Sequence, residues 1–217
     1  MSYRRFNSNE QDLLQDIMRL RRDVRGNRFV DQALDESDLN RILNAGLMAP
    51  SVGFSQPWRF VVIRDQKTRS QISKIFGEEN SKAEEVFRDQ GRDEYLRLKL
   101  EGIQESAVNV ALFYEAQEAP VLGQTSMAQM GEYSTVCAVQ NMWLMARALN
   151  IGLGWVSILN EDKVGELLGA SPRHKLVAYL CIGHVDTFYD KPELETLGWD
   201  KRKLKNEVVF DEYLPPA

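Results

Sequence analysis

The segment from Tyr133 to Leu149 constrains the fold more than any other, because it has the length of a helix and apolar residues on most of its faces. A helix of this kind is stable when neighbouring elements bury it all round. Two continuous apolar runs, Ala107 to Tyr114 and Leu176 to Ile182, are typical of buried strands. The pattern therefore predicts a core built from a buried central helix and buried strands.

Further elements surround this core. Trp58 to Ile63 and Leu153 to Leu159 have strand character, and four other segments space their apolar residues as helices do. Roughly four strands interleaved with long helices predict a sheet covered by helices on both faces. These helical segments span 9–20, 35–47, 66–76 and 160–168. The predicted caps are Asn9, Asp35 and Asn160 at helix starts and Gly152 at the end of the central helix.

Composition limits the class of protein. With 217 residues, 43% of them hydrophobic, the chain can bury one sizeable core, so a single domain over 1–217 is expected. A net charge of -5 disfavours binding to nucleic acid or to an anionic membrane surface. His174 and His184 stand in no metal-binding spacing, so no metal is expected. Cys137 and Cys181 lie in apolar runs and are expected to be buried thiols. Because the sequence shows no targeting or membrane-spanning segment, a cytoplasmic location is expected.

The run Arg21-Arg22-Asp23-Val24-Arg25 follows the first predicted helix. A guanidinium presents a planar fork of donors that matches phosphate oxygens two at a time, so the run is a candidate phosphate clamp. Asp23 is the anomaly, since a carboxylate repels a bound phosphate unless the arginines neutralise it or the chemistry needs an acid or base there. A solvated, self-paired surface run is the alternative interpretation.

A loop and a segment of strand character add to this site. Residues 49–58 hold two prolines that stiffen the chain, Gly53 for close backbone approach, and the polar Ser51 and Gln56, a combination suited to the edge of a planar ligand. The segment Gly152-Leu153-Gly154-Trp155-Val156-Ser157 has two glycines where a dinucleotide-binding fingerprint needs three. We therefore reject a Rossmann fold and predict a close backbone approach at these glycines.

Together, the Arg-Arg-x-Val-Arg run, the Ala-Pro-Ser…Gln-Pro-Trp loop and the Gly-Leu-Gly-Trp-Val-Ser segment resemble the FMN-binding nitroreductase-fold family, from about Leu13 to Phe210. General reductases and dehalogenases of that family commonly carry Ser where this chain has Asp23. The segments Lys99 to Ile103 and Tyr133 to Thr135 strengthen a likeness to a branch that consumes its flavin. The resemblance implies an α+β nitroreductase-like fold and a homodimer with FMN at the subunit interface.

For that branch the resemblance implies a reaction of reduced FMN with O₂ that yields 5,6-dimethylbenzimidazole, the lower ligand of cobalamin, and erythrose 4-phosphate. FMN is then a substrate, and a separate flavin reductase supplies it. Two alternatives stay open. One is an NAD(P)H-dependent FMN nitroreductase or dehalogenase that recycles its flavin, and the other is a non-enzymatic flavin carrier.

The resemblance also implies roles for individual residues. The arginines of the run hold the phosphate and the N1/O2 edge of the flavin, the 50–53 loop lines the isoalloxazine from the other subunit, and a basic residue of the tail lies near the phosphate. The residues implied in FMN binding are Arg21, Arg22, Asp23, Val24, Arg25, Pro50, Ser51, Val52, Gly53, Trp155, Val156, Ser157 and Arg202.

Two of these residues are candidate catalysts. Asp23 would lie near the ribityl chain as a general base, kept ionised at neutral pH by its flanking arginines, or it only orients those arginines. Ser157 would lie at the N5/C4a edge, or it is a structural residue of a strand. Residues 80–103, charged with sparse apolar positions, are predicted to form a peripheral helical excursion and a lid. The tail at 186–217 either embraces the partner subunit or frays.

Overall fold

The computed structural model describes residues 3–86, 95–96 and 98–214, and its centre is a four-stranded antiparallel sheet in the order β1-β2-β4-β3. The strands are β1 (Trp58–Ile63), β2 (Val108–Glu115), β3 (Gly152–Val156) and β4 (His174–Gly183). The helices are α1 (Ser8–Leu20), α2 (Glu36–Leu47), α3 (Gln66–Val86), α4 (Met130–Ala148), α5 (Glu161–Leu167), α6 (Glu193–Thr196) and α7 (Lys205–Val208), with a 3₁₀ turn at Val52–Phe54.

Helices cover both faces of this sheet, as predicted. On one face α2 and α4 pack against β2 and β4 through residues such as Leu112 and Met142. On the other face α3 and α5 enclose a second cluster that includes Ile72 and Tyr179. Burial on both faces explains why β2 and β4 read as continuous apolar runs rather than as alternating ones. None of the helices in the described residues is long and apolar enough to cross a bilayer.

The central helix α4 is not buried all round within one chain. Its buried face packs on the sheet, but a stripe on the opposite side leaves Tyr133 51% and Val136 38% exposed. Cys137 belongs to this stripe and is exposed, so its predicted burial is wrong, whereas the predicted burial of Cys181 is confirmed. Within residues 3–86, 95–96 and 98–214 no element covers this apolar stripe, which is why the expectation of complete burial fails.

Two predicted caps differ from the structure. Asn150, with a φ of 59°, is the left-handed residue after α4, while Gly152 is the first residue of β3. Asparagine tolerates this conformation better than most residues, so glycine is not required there. At the start of α1 the cap is Asn7 rather than Asn9, and it forms a reciprocal capping box with Glu10.

The two other N-caps lie where the sequence puts them. Asp35 is the N-cap residue of α2, although its side chain makes no capping hydrogen bond. Asn160 caps α5, and its Oδ1 accepts a hydrogen bond of 2.9 Å from the backbone N–H of Lys163.

The predicted excursion at 80–103 divides into parts. Residues 80–86 extend α3, and residues 87–94 and 97 lie outside the described residues. Ile103 is fully buried and belongs to the core, so the end of this segment is not peripheral. Its side chain packs in the cluster under β2 and β4, where apolar burial outweighs the charged character of the preceding residues. The lid itself stays a prediction.

Candidate functional site

The arginine run lies along the edge strand β3. Asp23 and Leu153 form a parallel bridge, and the backbone N–H of Val24 donates a 3.1 Å hydrogen bond to the carbonyl of Leu153. Gly154 makes this approach possible, because a Cβ at that position would overlap the carbonyl oxygen of Val24. The close backbone approach predicted for these glycines is thereby confirmed.

The carboxylate of Asp23 is held from two sides. Its Oδ1 accepts a 2.9 Å hydrogen bond from the backbone N–H of Trp155, and its Oδ2 pairs with the guanidinium of Arg25. Arg25 is itself fixed, since its Nη1 donates to the carbonyls of Leu100 and Trp155 at 3.1 Å each. The acid is therefore anchored between a strand backbone and an arginine that has little freedom to move.

Burial raises the pKa of Asp23 above its ordinary value. Arg25, the N–H of Trp155 and Arg21 oppose this effect, and the negative charge of Glu193 adds to it. The sequence led us to expect that the flanking arginines would decide the ionisation, but desolvation outweighs them. A carboxylate with a raised pKa is a stronger proton acceptor once it is ionised.

Arg21 and Arg22 are arranged differently from Arg25. The guanidinium of Arg21 lies over the ring of Trp143, 4.6 Å from its centroid. Arg22 is only 8% exposed, and its terminal nitrogens donate to the carbonyls of Arg19, Arg21 and Asp190. Within the residues that the structure describes, its buried Nε has no hydrogen-bond partner. Arg22 therefore ties the run to the start of the tail and keeps one unused donor.

Two cavities meet at these arginines. A cavity of about 240 Å³ is lined by Asp23, Arg25 and both residues of the Arg21-Arg22 pair, together with parts of the 98–100 and 192–194 segments. A wider cleft of about 680 Å³ shares the Arg21-Arg22 pair and adds Arg202 from the tail. Burial lowers the pKa of Arg21, and the charge of Arg202 lowers it further. The shared cleft is thus a region where an anion would relieve repulsion between cations.

The loop at 50–53 lies elsewhere in the chain. The N–H of Val52 donates a 3.1 Å hydrogen bond to the hydroxyl of Ser134, near the start of α4, and the hydroxyl of Ser51 accepts one from Gln56. Trp143, which carries the arginine run, is nine residues further along α4, about 14 Å at the helical rise. A single chain does not bring these two parts of the predicted site together.

The three residues of the segment 155–157 lie in different environments. Trp155 touches Asp23 and Arg25 through its backbone, while Val156 is buried in the core. Ser157 is exposed and lines a separate cleft of about 440 Å³. The two candidate catalysts, Asp23 and Ser157, therefore line different cavities in one chain.

Several residues of the site were not assigned to it from the sequence. Trp143 supports Arg21 and donates a 3.1 Å hydrogen bond from its ring nitrogen to the carbonyl of Arg22. Lys99 and Glu193 line the same cavity as Asp23. These contacts join positions far apart in the chain, and no spacing rule links them.

Comparison with known proteins places this arrangement in context. The model of the nitroreductase family matches residues 18–184. A 5,6-dimethylbenzimidazole synthase of Rhodospirillum rubrum is 39% identical over 200 residues, covering 91% of this chain and 94% of that protein. A second protein of that description, from Rhodobacter capsulatus, is 35% identical over 90% of this chain and 95% of its own length.

Solved structures agree on the fold. A crystal structure of iodotyrosine deiodinase bound to FMN and 3-iodo-L-tyrosine superposes with a TM-score of 0.73 at 22% identity, over 93% of this chain and 99% of that one. A putative nitroreductase from Desulfovibrio desulfuricans in complex with FMN gives 0.66 at 22% identity, over 97% and 100% of the two chains.

Proposed function

Since this enzyme belongs to the nitroreductase family, and within it to the family of the 5,6-dimethylbenzimidazole synthases, we propose that it cleaves reduced FMN with O₂. The products are 5,6-dimethylbenzimidazole, the lower ligand of cobalamin, and erythrose 4-phosphate. The observation that carries this proposal is the half-buried carboxylate of Asp23, which shares one cavity with Arg21, Arg22 and Arg25 and has a raised pKa. Holding a phosphate does not need such an acid, whereas removing a proton from the ribityl chain does.

The residues present fit FMN. Arg21, Arg22 and Arg202 share one cleft and would hold the phosphate. Arg25, fixed by two carbonyls, would face the N1/O2 edge, where reduced flavin carries negative charge. Reduced FMN and O₂ supply the redox chemistry and the carbon skeleton of the product.

In this proposal Asp23 is the general base. The Trp155 N–H and Arg25 orient its carboxylate, so a proton acceptor stands at a fixed place beside the phosphate cleft. Its raised pKa makes it a better acceptor than an ordinary aspartate. Ser157 would contribute from the separate cleft that it lines after β3.

We further propose that the complete site forms between two copies of this chain. The loop at 50–53 and the arginine run lie at opposite ends of α4, and the exposed α4 stripe, here Tyr133, Val136 and Cys137, runs between them. Two stripes packed face to face bury these side chains and bring the loop of one copy towards the arginines of the other. The tail, with exposed Trp199 and Phe210, would embrace the partner.

Val136→Asp tests the dimer. A charge in the middle of the stripe should give a folded monomer by light scattering, with unchanged far-ultraviolet circular dichroism and lost FMN binding. Val86→Asp, at an exposed residue of α3, is the control and should stay dimeric. A Val136→Asp monomer that binds FMN as tightly as the wild type would show that one chain holds the complete site.

The reaction is tested with reduced FMN. The protein is mixed anaerobically with dithionite-reduced FMN and then exposed to air. The expected result is an irreversible loss of flavin absorbance together with 5,6-dimethylbenzimidazole detected by mass spectrometry. Quantitative return of yellow FMN would contradict the proposal. Steady NADH oxidation without an added flavin reductase would favour an ordinary nitroreductase.

A further inference from the structure

We propose that Glu101 is a positioning residue of this site, which holds the ammonium of Lys99 and the carbonyl of Leu100 in the wall of the cavity that contains Asp23. The inference rests on the proposed function for the identity of the ligand, reduced FMN. Lys99 and Leu100 both line that cavity, whereas Glu101 stands behind them.

Glu101 is a buried carboxylate that joins the core at Ile103 to Lys99 in this wall. It is 8% exposed, and its Oε2 accepts a 2.6 Å hydrogen bond from the backbone N–H of Ile103. Its Oε1 pairs with the Nζ of Lys99 at 2.5 Å. A buried charge is stable only when it is paired and hydrogen-bonded, so these two contacts fix where Lys99 stands.

The same residue connects to Asp23 through the backbone. The carbonyl of Glu101 accepts a 2.8 Å hydrogen bond from the N–H of Gly26, and the neighbouring carbonyl of Leu100 accepts from Arg25. Arg25 pairs with Asp23. A shift of Glu101 therefore moves the acceptor that holds the partner of the candidate base.

Gly26 is part of this arrangement. A Cβ at Gly26 would lie 2.6 Å from the Cε of Lys99 and 2.7 Å from the Cδ of Glu105, so a larger residue there would displace the ends of these two side chains. Glu105 also pairs with Lys99, at 2.8 Å, but it is more exposed than Glu101. The side chain of Lys99 thus passes over Gly26, and its ammonium pairs with Glu101 and Glu105.

The charge of Lys99 follows from these acids. Burial lowers its pKa, but the hydrogen bonds and charges of Glu101 and Glu105 outweigh burial and the pKa is raised. Lys99 therefore carries a full positive charge in the cavity. A fixed cation stabilises an anion more than a neutral ligand, so Lys99 should favour reduced over oxidised FMN.

The test compares the affinity of Glu101→Gln for the two redox forms of FMN. Anaerobic titration followed by tryptophan fluorescence should give an affinity about tenfold weaker for dithionite-reduced FMN, because the displacement of the Lys99 ammonium outweighs the removal of a carboxylate that stands behind it. The affinity for oxidised FMN should change by less than about threefold. Glu78→Gln, which removes the acid of an exposed pair with Lys163 at 2.6 Å, is the matched control and should leave both affinities unchanged.

Lys99→Met provides the second variant. It should lower the affinity for reduced FMN about as much as Glu101→Gln, and the double variant should be no weaker than either single one. If Glu101→Gln fails to fold, the affinities of Lys99→Met for reduced and oxidised FMN decide whether the proposal holds. Unchanged affinities, equal weakening for both redox forms, or additive effects in the double variant would each overturn the proposal. Failure of the proposed function appears separately, as wild-type protein that binds reduced FMN and releases no benzimidazole.

Discussion

Replacing Asp23 with asparagine separates the binding of flavin from its cleavage. Asparagine has the shape of aspartate, and its Oδ1 can still accept the 2.9 Å hydrogen bond from the N–H of Trp155. It cannot accept a proton or pair with Arg25. Arg25 keeps its hydrogen bonds to the carbonyls of Leu100 and Trp155, so the wall of the cavity should stay in place.

The expected effect on cleavage is large. General-base catalysis contributes about 10²- to 10⁴-fold, which corresponds to about 3 to 5 kcal/mol in the barrier. The affinity for reduced FMN should be unchanged or slightly higher, because the substitution removes a negative charge near the phosphate cleft. Binding and catalysis are thus expected to move independently.

The assay is a single turnover of protein with anaerobically reduced FMN, started by air and sampled for 5,6-dimethylbenzimidazole. Asp38→Asn, which removes an acid that pairs with Arg41 at 3.8 Å in α2, is the matched control and should cleave at the wild-type rate. Wild-type cleavage by the Asp23→Asn variant would refute the general-base role. Loss of binding together with cleavage would assign Asp23 to positioning the arginines instead.

The raised pKa of Asp23 adds a dependence on pH. A base acts when deprotonated, so wild-type cleavage should fall with decreasing pH at a higher pH than an ordinary aspartate would give. The folded state also binds this proton more tightly than the unfolded chain. The resulting stability is present below the unfolded pKa, about 3.9, and is lost as the pH rises through the folded value. Asp23→Asn should therefore raise the melting temperature at neutral pH, and this gain should shrink in acid.

Two further substitutions test the frame of the site. Gly154→Ala should lower the free energy of unfolding in urea by about 1 to 3 kcal/mol and weaken FMN binding, because the added Cβ would overlap the carbonyl of Val24. The control Gly77→Ala, which has open space around it in α3, should instead stabilise the protein by about 0.5 to 1 kcal/mol. Equal effects of the two substitutions would contradict the role of Gly154. Arg69→Met should lower the free energy of unfolding by about 2 to 4 kcal/mol, because buried Arg69 donates hydrogen bonds of 2.9 and 2.7 Å to the carbonyl of Ile103. An unfolding midpoint equal to that of the wild type would refute this prediction.

Elements with a strong local pattern were predictable from the sequence. The bounds of β1 match the predicted run Trp58 to Ile63, because a run rich in aromatic and β-branched residues between Pro57 and Arg64 leaves little choice. The left-handed cap after α4 was assigned to the wrong residue, since both Asn150 and Gly152 tolerate a positive φ and local propensity favours glycine. The crowding of Gly152 against Val185, a tertiary contact, explains why glycine is needed in the strand.

The pattern of α4 illustrates a second limit. Apolar residues on most faces predict burial, but the sequence does not say whether the cover belongs to the same chain. Tyr133 and Val136 are exposed here, and so are Leu13 and Met18 of α1. Helical periodicity shows that an apolar face is stabilised by burial, and burial against a second copy of the chain meets this requirement as well as burial against an element of the same chain.

The site itself was only partly visible, for a related reason. The five residues from Arg21 to Arg25 are adjacent in sequence, yet their side chains have different structural tasks because they meet distant elements in different ways. Arg25 is held by the carbonyls of Leu100 and Trp155, whereas Arg22 reaches the tail at Asp190. Charge patterning can nominate such a cluster, but long-range backbone acceptors decide which guanidinium remains free for a ligand.

The position of Asp23 shows what a base at this place requires from the fold. Burial raises its pKa, so the ionised carboxylate is costly, and the chain offsets that cost with the N–H of Trp155 and the charge of Arg25. Both contacts depend on β3 lying against the run, which Gly154 permits. A reductase with serine at this position would need neither contact to stabilise a charge. The acid and the close backbone approach should therefore be coupled, and Gly154→Ala should lower cleavage much more in the wild type than in an Asp23→Asn background.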